Sequence, residues 1–336
     1  MDSIPVVFLK GSHEEIGYQY GKLLKEKINK TIEFYAKYFN CTEQDLSDKA
    51  TFFKNKIKEF NIDYVKEIDA ISEGSNVKPL WIYALNARSE ILAFDENECT
   101  SLFYKKTSIL GQNWDWGKQL ENLIVLLNIT YDNGHKILMM TEPGIIGKIG
   151  LNNSGLGVCL NILRRNKQLN GVPVHIVLRS ILDSTSLSEA KNNIKTSGFG
   201  KASNILLGCE DSSCLDIEFA GNENFELISD NDFLLHTNHY LVRKINPDIE
   251  SYKCSLTRYN TASEIINNQQ LQSIENIKNL LLDSSNKNYP IHRKYVKGNI
   301  LDDSGTVCTI IMDLKKKIIH LKKGNSPDSN FKAYRL

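Results

Sequence analysis

An α+β fold, helical at first and strand-rich afterwards, is what this sequence predicts, on three observations. Apolar residues keep helical spacing through most of the first hundred positions. After Cys99 the pattern changes to short alternating runs joined by turn signals. Helical spacing then returns only in isolated stretches between strands. Antiparallel runs with interspersed helices are satisfied by sheets packed on one another and covered by helices.

Taken in order, residues 4–10 alternate well enough for a strand. Ser12 and Glu15 then form a capping box, and Ile16, Tyr20, Leu23, Leu24, Ile28, Ile32, Tyr35 and Tyr38 keep helical spacing from there. Gly17 and Gly21 lie on the same face. A glycine inside a helix costs about 1 kcal/mol, so close approach of another backbone is the expected reason for both. A second helical region runs from about Asp45 to Ser72, and a third from about Lys78 to Ala93.

The strands come in pairs. Thr100–Tyr104 and Ile109–Trp116 flank a polar turn, and Leu123–Thr130 and Lys136–Thr141 flank an Asn133-Gly134 turn. Lys148–Leu151 and Gly157–Leu163 flank a third. A helix over His175–Asp183 follows, then another opening with a capping box at Ser186 and Glu189. Strands resume at Asn204–Leu207, Cys214–Phe219, Phe225–Ile228 and Phe233–Thr237. An amphipathic helix is expected over Ser263–Leu282, and Thr306–Asp313 with Lys317–Leu321 make a last hairpin.

The 336 residues can bury a sizeable core, and 41% apolar with 24% charged residues is ordinary for a globular protein. A net charge of +1 gives no reason to expect nucleic acid or an anionic membrane as partner. No apolar run is long enough to span a bilayer, and the N-terminus lacks the features of a signal peptide. Seven scattered cysteines fit reduced thiols, and hence a cytoplasmic protein, better than a disulfide framework. Cys209 and Cys214 read as flanking a turn, and His236 and His239 have poor metal-ligand spacing, so neither a metal nor a cofactor is expected.

Cys99 stands apart because it follows the polar stretch Asp95-Glu96-Asn97-Glu98 and opens a strand. A thiol nucleophile needs a base or a nearby cation to lower its pKa from about 8.5. Cleavage before Cys99 would supply a base on the same residue, since a free α-amino group titrates at about 7.7–8.0. Composition alone leaves self-cleavage the minority choice.

Longer segments change that balance. Glu15-Ile16-Gly17-Tyr18-Gln19-Tyr20-Gly21, Leu85-Asn86-Ala87-Arg88-Ser89-Glu90, Cys99-Thr100-Ser101 and Gly111-Gln112-Asn113-Trp114-Asp115-Trp116 occur in one order. Thr141-Glu142-Pro143-Gly144, Gly171-Val172-Pro173-Val174-His175 and His236-Thr237-Asn238-His239 follow them. In these the chain resembles the isopenicillin N acyltransferase family of self-processing N-terminal nucleophile hydrolases, and more distantly the choloylglycine hydrolases.

The resemblance implies a four-layer αββα sandwich made as one precursor and cut between Glu98 and Cys99. Residues 1–98 would form a small, mainly helical chain and 99–336 the catalytic portion, the two staying associated. Cys99 would attack a small amide or thioester, with hydrolysis of a small N-acyl amine favoured. A coenzyme A thioester is the alternative acyl donor, and an unprocessed binding relative is the alternative of another class. Homo-oligomerisation is left open.

By the same resemblance Asp115 matches the aspartate that stabilises the new ammonium. Asn238 matches an oxyanion donor, Asn161 a second oxyanion contributor, and Arg293 is a candidate cation near the thiolate. Two positions depart from the pattern. Glu98 replaces the glycine typical before the nucleophile, and Gln112 replaces the arginine that the bile salt hydrolases carry three residues before the aspartate.

Overall fold

Two β-sheets lie face to face with helices on both outer surfaces, and Cys99 sits at the start of a strand in the smaller sheet. The computed structural model describes residues 3–92, 98–164, 169–220, 223–228, 231–242, 249–268, 273–298 and 301–336, without the side chains of 98 and 249–251. The polar stretch before Cys99 therefore falls largely outside the described residues.

Strand β1 (Val6–Gly11) leads into α1 (His13–Ala36), whose Ser12–Glu15 capping box forms in full. The second helical region is divided. Asn61 leaves the helical region (φ −158°, ψ 115°), ends α2 (Glu43–Phe60), and accepts from the Asp63 N–H to cap α3 (Ile62–Ser75). The third is split at Ala87 into α4 (Pro79–Asn86) and α5 (Arg88–Ile91). The paired glycines do serve a close crossing. A Cβ on Gly17 would stand 2.2 Å from the Glu67 carbonyl oxygen, and one on Gly21 2.3 Å from that of Ile71, both on α3.

Beyond Cys99 come β2 (Glu98–Tyr104), β3 (Ile109–Gly117), β4 (Val125–Tyr131), β5 (Lys136–Thr141), β6 (Ile149–Asn152) and β7 (Leu156–Ile162). Helices α6 (Val174–Asp183) and α7 (Leu187–Thr196) follow. Ser186 caps α7, but the returning arm of the box is displaced: Glu189 accepts from Thr185 rather than from the cap residue. Strands β8 (Ser203–Cys209), β9 (Cys214–Phe219), β10 (Asn224–Leu227) and β11 (Phe233–His236) precede the last helices.

The single helix expected over Ser263–Leu282 is two. Helix α8 (Ile249–Asn268) begins fourteen residues earlier, and α9 (Ile274–Leu281) starts afresh at the Ser273 cap. After β12 (Ser304–Asp313) and β13 (Ile318–Lys323) a further strand, β14 (Lys332–Arg335), extends what sequence reading took as a final hairpin.

The larger sheet runs β1-β4-β5-β6-β7-β8-β9-β10 and the smaller β11-β2-β3-β12-β13-β14. Only β1 with β4 is parallel among these pairs; the others are antiparallel. Among the described residues three large apolar clusters fill the layers, and a small fourth gathers Leu163, Ala202, Ala220 and Tyr240. One joins α1, α3 and α6 to the outer face of the larger sheet. The second lies between the sheets and holds Phe103, Leu110, Leu206 and Cys99. The third seats α8 and α9 on the outer face of the smaller sheet through Ala262, Ile277 and Leu281. The architecture is thus an α+β sandwich layered helix, sheet, sheet, helix.

Candidate active site

The β2–β3 register places the two ends of the expected site side by side. Cys99 pairs with Trp114, and Glu98 with Asp115, across neighbouring strands. Period-2 alternation turns Cys99 and Ser101 to one face of β2. That face looks into the gap between the sheets, where the Ser101 hydroxyl donates to Asn161 Oδ1 on β7 at 2.6 Å. Gln112 spans the same gap, its Nε2 donating to the Leu160 carbonyl at 2.6 Å and its Oε1 accepting from the Leu160 N–H at 3.0 Å.

The main-chain nitrogen of Cys99 is held as firmly as its strand. It donates to Asn238 Oδ1 at 2.7 Å. Asn238 follows β11, the edge strand that pairs with β2, and its own N–H donates to Ser255 Oγ at 2.7 Å. Arg258, from α8, then locks the arrangement. Its Nη1 donates to the Cys99 carbonyl at 2.6 Å and to Thr100 Oγ1 at 2.8 Å, and its Nη2 donates to Asn238 Oδ1 at 2.9 Å. A guanidinium only donates, so the amide oxygen of Asn238 must face Arg258 and, with it, the Cys99 nitrogen. The amide's Nδ2 is left to donate to the Ile162 carbonyl at 3.0 Å.

Charge at the thiol follows from this packing. Cys99 is 4% exposed. Burial, first, and the Asp115 carboxylate, second, push its thiol up to about 11, against smaller opposing effects of the Asp115 N–H, the Arg258 guanidinium and the Gln112 side chain. The thiol is therefore protonated at neutral pH. Asp115 is itself buried at the end of β3.

The expected site residues thus divide. Cys99, Asp115, Asn161 and Asn238 converge on the start of β2. Asn238, expected to donate to an oxyanion, here gives its oxygen to the Cys99 N–H and its N–H group to Ile162. Arg293 is placed through its backbone: its N–H donates to Thr306 Oγ1 at 2.9 Å, and its carbonyl accepts from the Thr306 N–H at 3.0 Å. Thr306 is the β12 partner of Asp115, so Arg293 lies one strand beyond the aspartate. The guanidinium acting on the Cys99 thiol is that of Arg258. Sequence reading missed it because the expected helix began at Ser263, after this residue.

Behind β3 stands a second buried polar group. Glu142 Oε1 accepts from Arg88 Nη2 at 2.8 Å and from Lys148, while its Oε2 accepts from the Tyr35 hydroxyl. The Lys148 ammonium also lies 3.2 Å from the centre of the Trp114 ring, the cross-strand neighbour of Cys99. Burial opposes the Glu142 charge, but Arg88, then Lys148, outweigh it and hold the carboxyl down to about 2. His175 joins the Gly147 carbonyl and the Ser89 hydroxyl, and Glu90 accepts from the Val174 N–H at the start of α6. Among the described residues no group of three or more His, Cys, Asp or Glu could hold a metal ion, and no helix is long and apolar enough to cross a membrane.

A buried cysteine opens an inner strand of a layered α+β sandwich, with an aspartate, two asparagines and an arginine around it, an arrangement chemically suited to acyl transfer or amide hydrolysis. The family model described as acyl-coenzyme A:6-aminopenicillanic acid acyl-transferase matches residues 102–328, and the chain belongs to that family. It is 28% identical over 344 residues to the acyl-coenzyme A:6-aminopenicillanic-acid-acyltransferase 40 kDa form of Emericella nidulans, covering 97% of this chain and 94% of that protein.

Among solved structures it is similar to a Caenorhabditis elegans N-acylethanolamine-hydrolyzing acid amidase ortholog, at 17% identity and a TM-score of 0.47, over 71% of this chain and 99% of that one. It is also similar to a mutant conjugated bile acid hydrolase of Clostridium perfringens, at 12% identity and a TM-score of 0.47, over 71% and 97%. The protein is an enzyme, and its substrates are small-molecule acyl donors or acceptors.

Proposed function

We propose that the chain cuts itself between Glu98 and Cys99 and then works as a cytoplasmic hydrolase of small N-acyl amines through a Cys99 acyl-enzyme. The observation that carries this is the 2.7 Å bond from the Cys99 nitrogen to Asn238 Oδ1. It holds, beside a thiol, the nitrogen that cutting would turn into an amine.

In the cutting step Cys99 Sγ attacks the Glu98 carbonyl carbon, and the acyl group passes from nitrogen to sulfur. Water then hydrolyses the thioester, leaving a Glu98 carboxylate and a Cys99 with free thiol and α-amine. Asp115 stabilises the resulting ammonium, which offsets the effect that holds the thiol near 11 in the unbroken chain. In turnover the thiolate attacks the substrate carbonyl and the amine carries the proton to the leaving group. The oxyanion donors would come from the Asn161 and Asn238 amides, the second after release from Ile162.

Three contacts support continued association of the two pieces. Strand β1 would remain an edge of the larger sheet through six paired residues on β4. Buried ion pairs Arg88–Glu142 and Glu67–Arg179 would each join one piece to the other. Transfer from a coenzyme A thioester to an amine uses the same acyl-enzyme, and the second nucleophile alone separates it from hydrolysis.

Intact-mass measurement tests the proposal. Wild type yields two co-eluting pieces, ending at Glu98 and beginning at Cys99, while Cys99→Ala stays whole and inactive. A wild-type chain that remains full-length while hydrolysing N-acyl amines would overturn the cutting step. Hydrolysis by Cys99→Ala would overturn the assignment of the nucleophile.

A further inference from the structure

A second buried carboxylate, away from Cys99, faces a cavity with a hydrogen-bonding demand that the described protein does not meet. Asp216 lies on β9, is 1% exposed, and pairs with Leu227 on the edge strand β10. Its Oδ1 accepts from Asn204 Nδ2, whereas no described donor reaches its Oδ2. Asn204 is in the same condition, because its Nδ2 faces Asp216 and the Ile217 carbonyl, and its Oδ1 has no donor. Turning the amide over would set its oxygen against two other acceptors, so the orientation is settled. Each of the two buried side chains thus keeps one acceptor without a donor, and of the two residues it is Asp216 that lines the cavity. Leaving such a buried group unsatisfied is costly.

Asp216 lines a cavity of about 460 Å³ where the sandwich opens beside β11, between the β10 edge and α8. Leu227, Leu234, Leu235, Tyr259 and Ile266 give it apolar walls. Asp232 is a second carboxylate in the lining, already paired with Lys106, and among the described residues the lining contains no lysine or arginine. Among the described residues His236 acts electrostatically on Asp216, and its ring is bonded to Glu218 Oε1 at 2.9 Å. Burial is the main effect on Asp216 and pushes its carboxyl up to about 6, so the ionised form is costly without a partner.

We propose that this cavity is a binding site for a primary ammonium ion bearing a short apolar chain, with Asp216 Oδ2 as its anchor. An ammonium supplies both the counter-charge that the carboxylate lacks and an N–H donor for its open oxygen. The chain would lie against the leucines and Ile266, since a cavity with this lining rewards burial of a few methylenes. The inference is independent of the chemistry at Cys99.

Calorimetric titration of the full chain with n-butylammonium tests it. Saturable one-to-one binding in the millimolar range or tighter is expected, weakened about tenfold or more in Asp216→Asn. That variant removes a costly buried charge at constant shape and should fold at least as well as wild type. Tetramethylammonium, with the charge but no N–H, should bind at least about tenfold more weakly. Ser263→Trp fills the cavity from α8 without touching Asp216 and should also abolish binding.

Absence of saturable butylammonium binding would mean that the acceptors hold water only and would overturn the proposal. So would equal binding of tetramethylammonium, or undiminished binding in either variant.

Discussion

Glu142 and Cys99 sit on neighbouring parts of the same core, both buried and both surrounded by charge, yet they are prepared in opposite ways. Glu142 has a donor on each oxygen, and its carboxyl is held near 2. Cys99 has its backbone fixed by Asn238 and Arg258, but its thiol is pushed to about 11. One group is compensated in the resting fold; the other is placed and left unionised. On the mechanism proposed for Cys99, the difference separates a polar group that holds the sandwich together from one positioned for a later chemical step. Burial alone does not make that distinction, because both are almost fully buried.

The comparison breaks most visibly through Glu142. Glu142→Gln leaves the buried Arg88 guanidinium without its carboxylate and removes what keeps the buried Lys148, already down to about 7, protonated, so a loss of about 3–5 kcal/mol is expected in denaturant unfolding. Cys99→Ala should cost far less stability. If Glu142→Gln unfolds within 1 kcal/mol of wild type (about fivefold in the equilibrium constant), the cluster does not hold the layers together.

Acid probes the same carboxyl without mutation. Its folded-state value of about 2 lies below the ordinary 4.5, so the folded state favours the carboxylate more than the unfolded chain does. That stability is present above pH 4.5 and is lost as pH falls toward 2. The full shift corresponds to about 3 kcal/mol. The difference in unfolding free energy between wild type and Glu142→Gln should therefore narrow across that window. A constant difference would place the cluster's effect elsewhere.

How much of this contrast was legible in the sequence follows from the range of the interactions. The hairpins, most caps and the close α1–α3 crossing were readable because their signals are local: Asn133-Gly134, Ser12 with Glu15, and Gly17 with Gly21. Cys99, Asp115 and Asn238 came from a resemblance of segments, and the β2–β3 register and the β11–β2 pairing bring them together. Arg258 had no such signal. It lies on the buried side of a helix whose start was misread, 159 residues from the carbonyl it holds. Asn61 divided a continuous helical pattern because a side-chain cap competes with helix continuation at one residue, which periodicity averages over.

Arg258 gives the next smaller test. Arg258→Lys keeps the charge but cannot reproduce the fork that reaches Cys99, Thr100 and Asn238 together. Cutting, followed by intact mass, should slow about tenfold to a hundredfold, matching the loss of one or two charge-assisted bonds. Because the guanidinium sets the Asn238 orientation, added guanidinium should restore part of the rate in Arg258→Ala. An unchanged cutting rate in Arg258→Lys would mean that charge alone, without the fork geometry, is what the site requires.

The smallest expected effect is the most discriminating, because its sign should reverse on cutting. In the unbroken chain the Asp115 charge opposes thiolate formation, so Asp115→Asn should lower the Cys99 thiol from about 11. A shift below about one pH unit is expected, since burial is the larger cause. Alkylation of the whole chain at fixed pH would then be faster in the variant. In the cut enzyme the same carboxylate faces an ammonium, and its loss should slow amide hydrolysis. Slower alkylation of the unbroken Asp115→Asn chain would instead identify Asp115 as a base that takes the thiol proton. The nucleophile would then be prepared before the cut, and the contrast with Glu142 would lie in the position of the charge rather than in its timing.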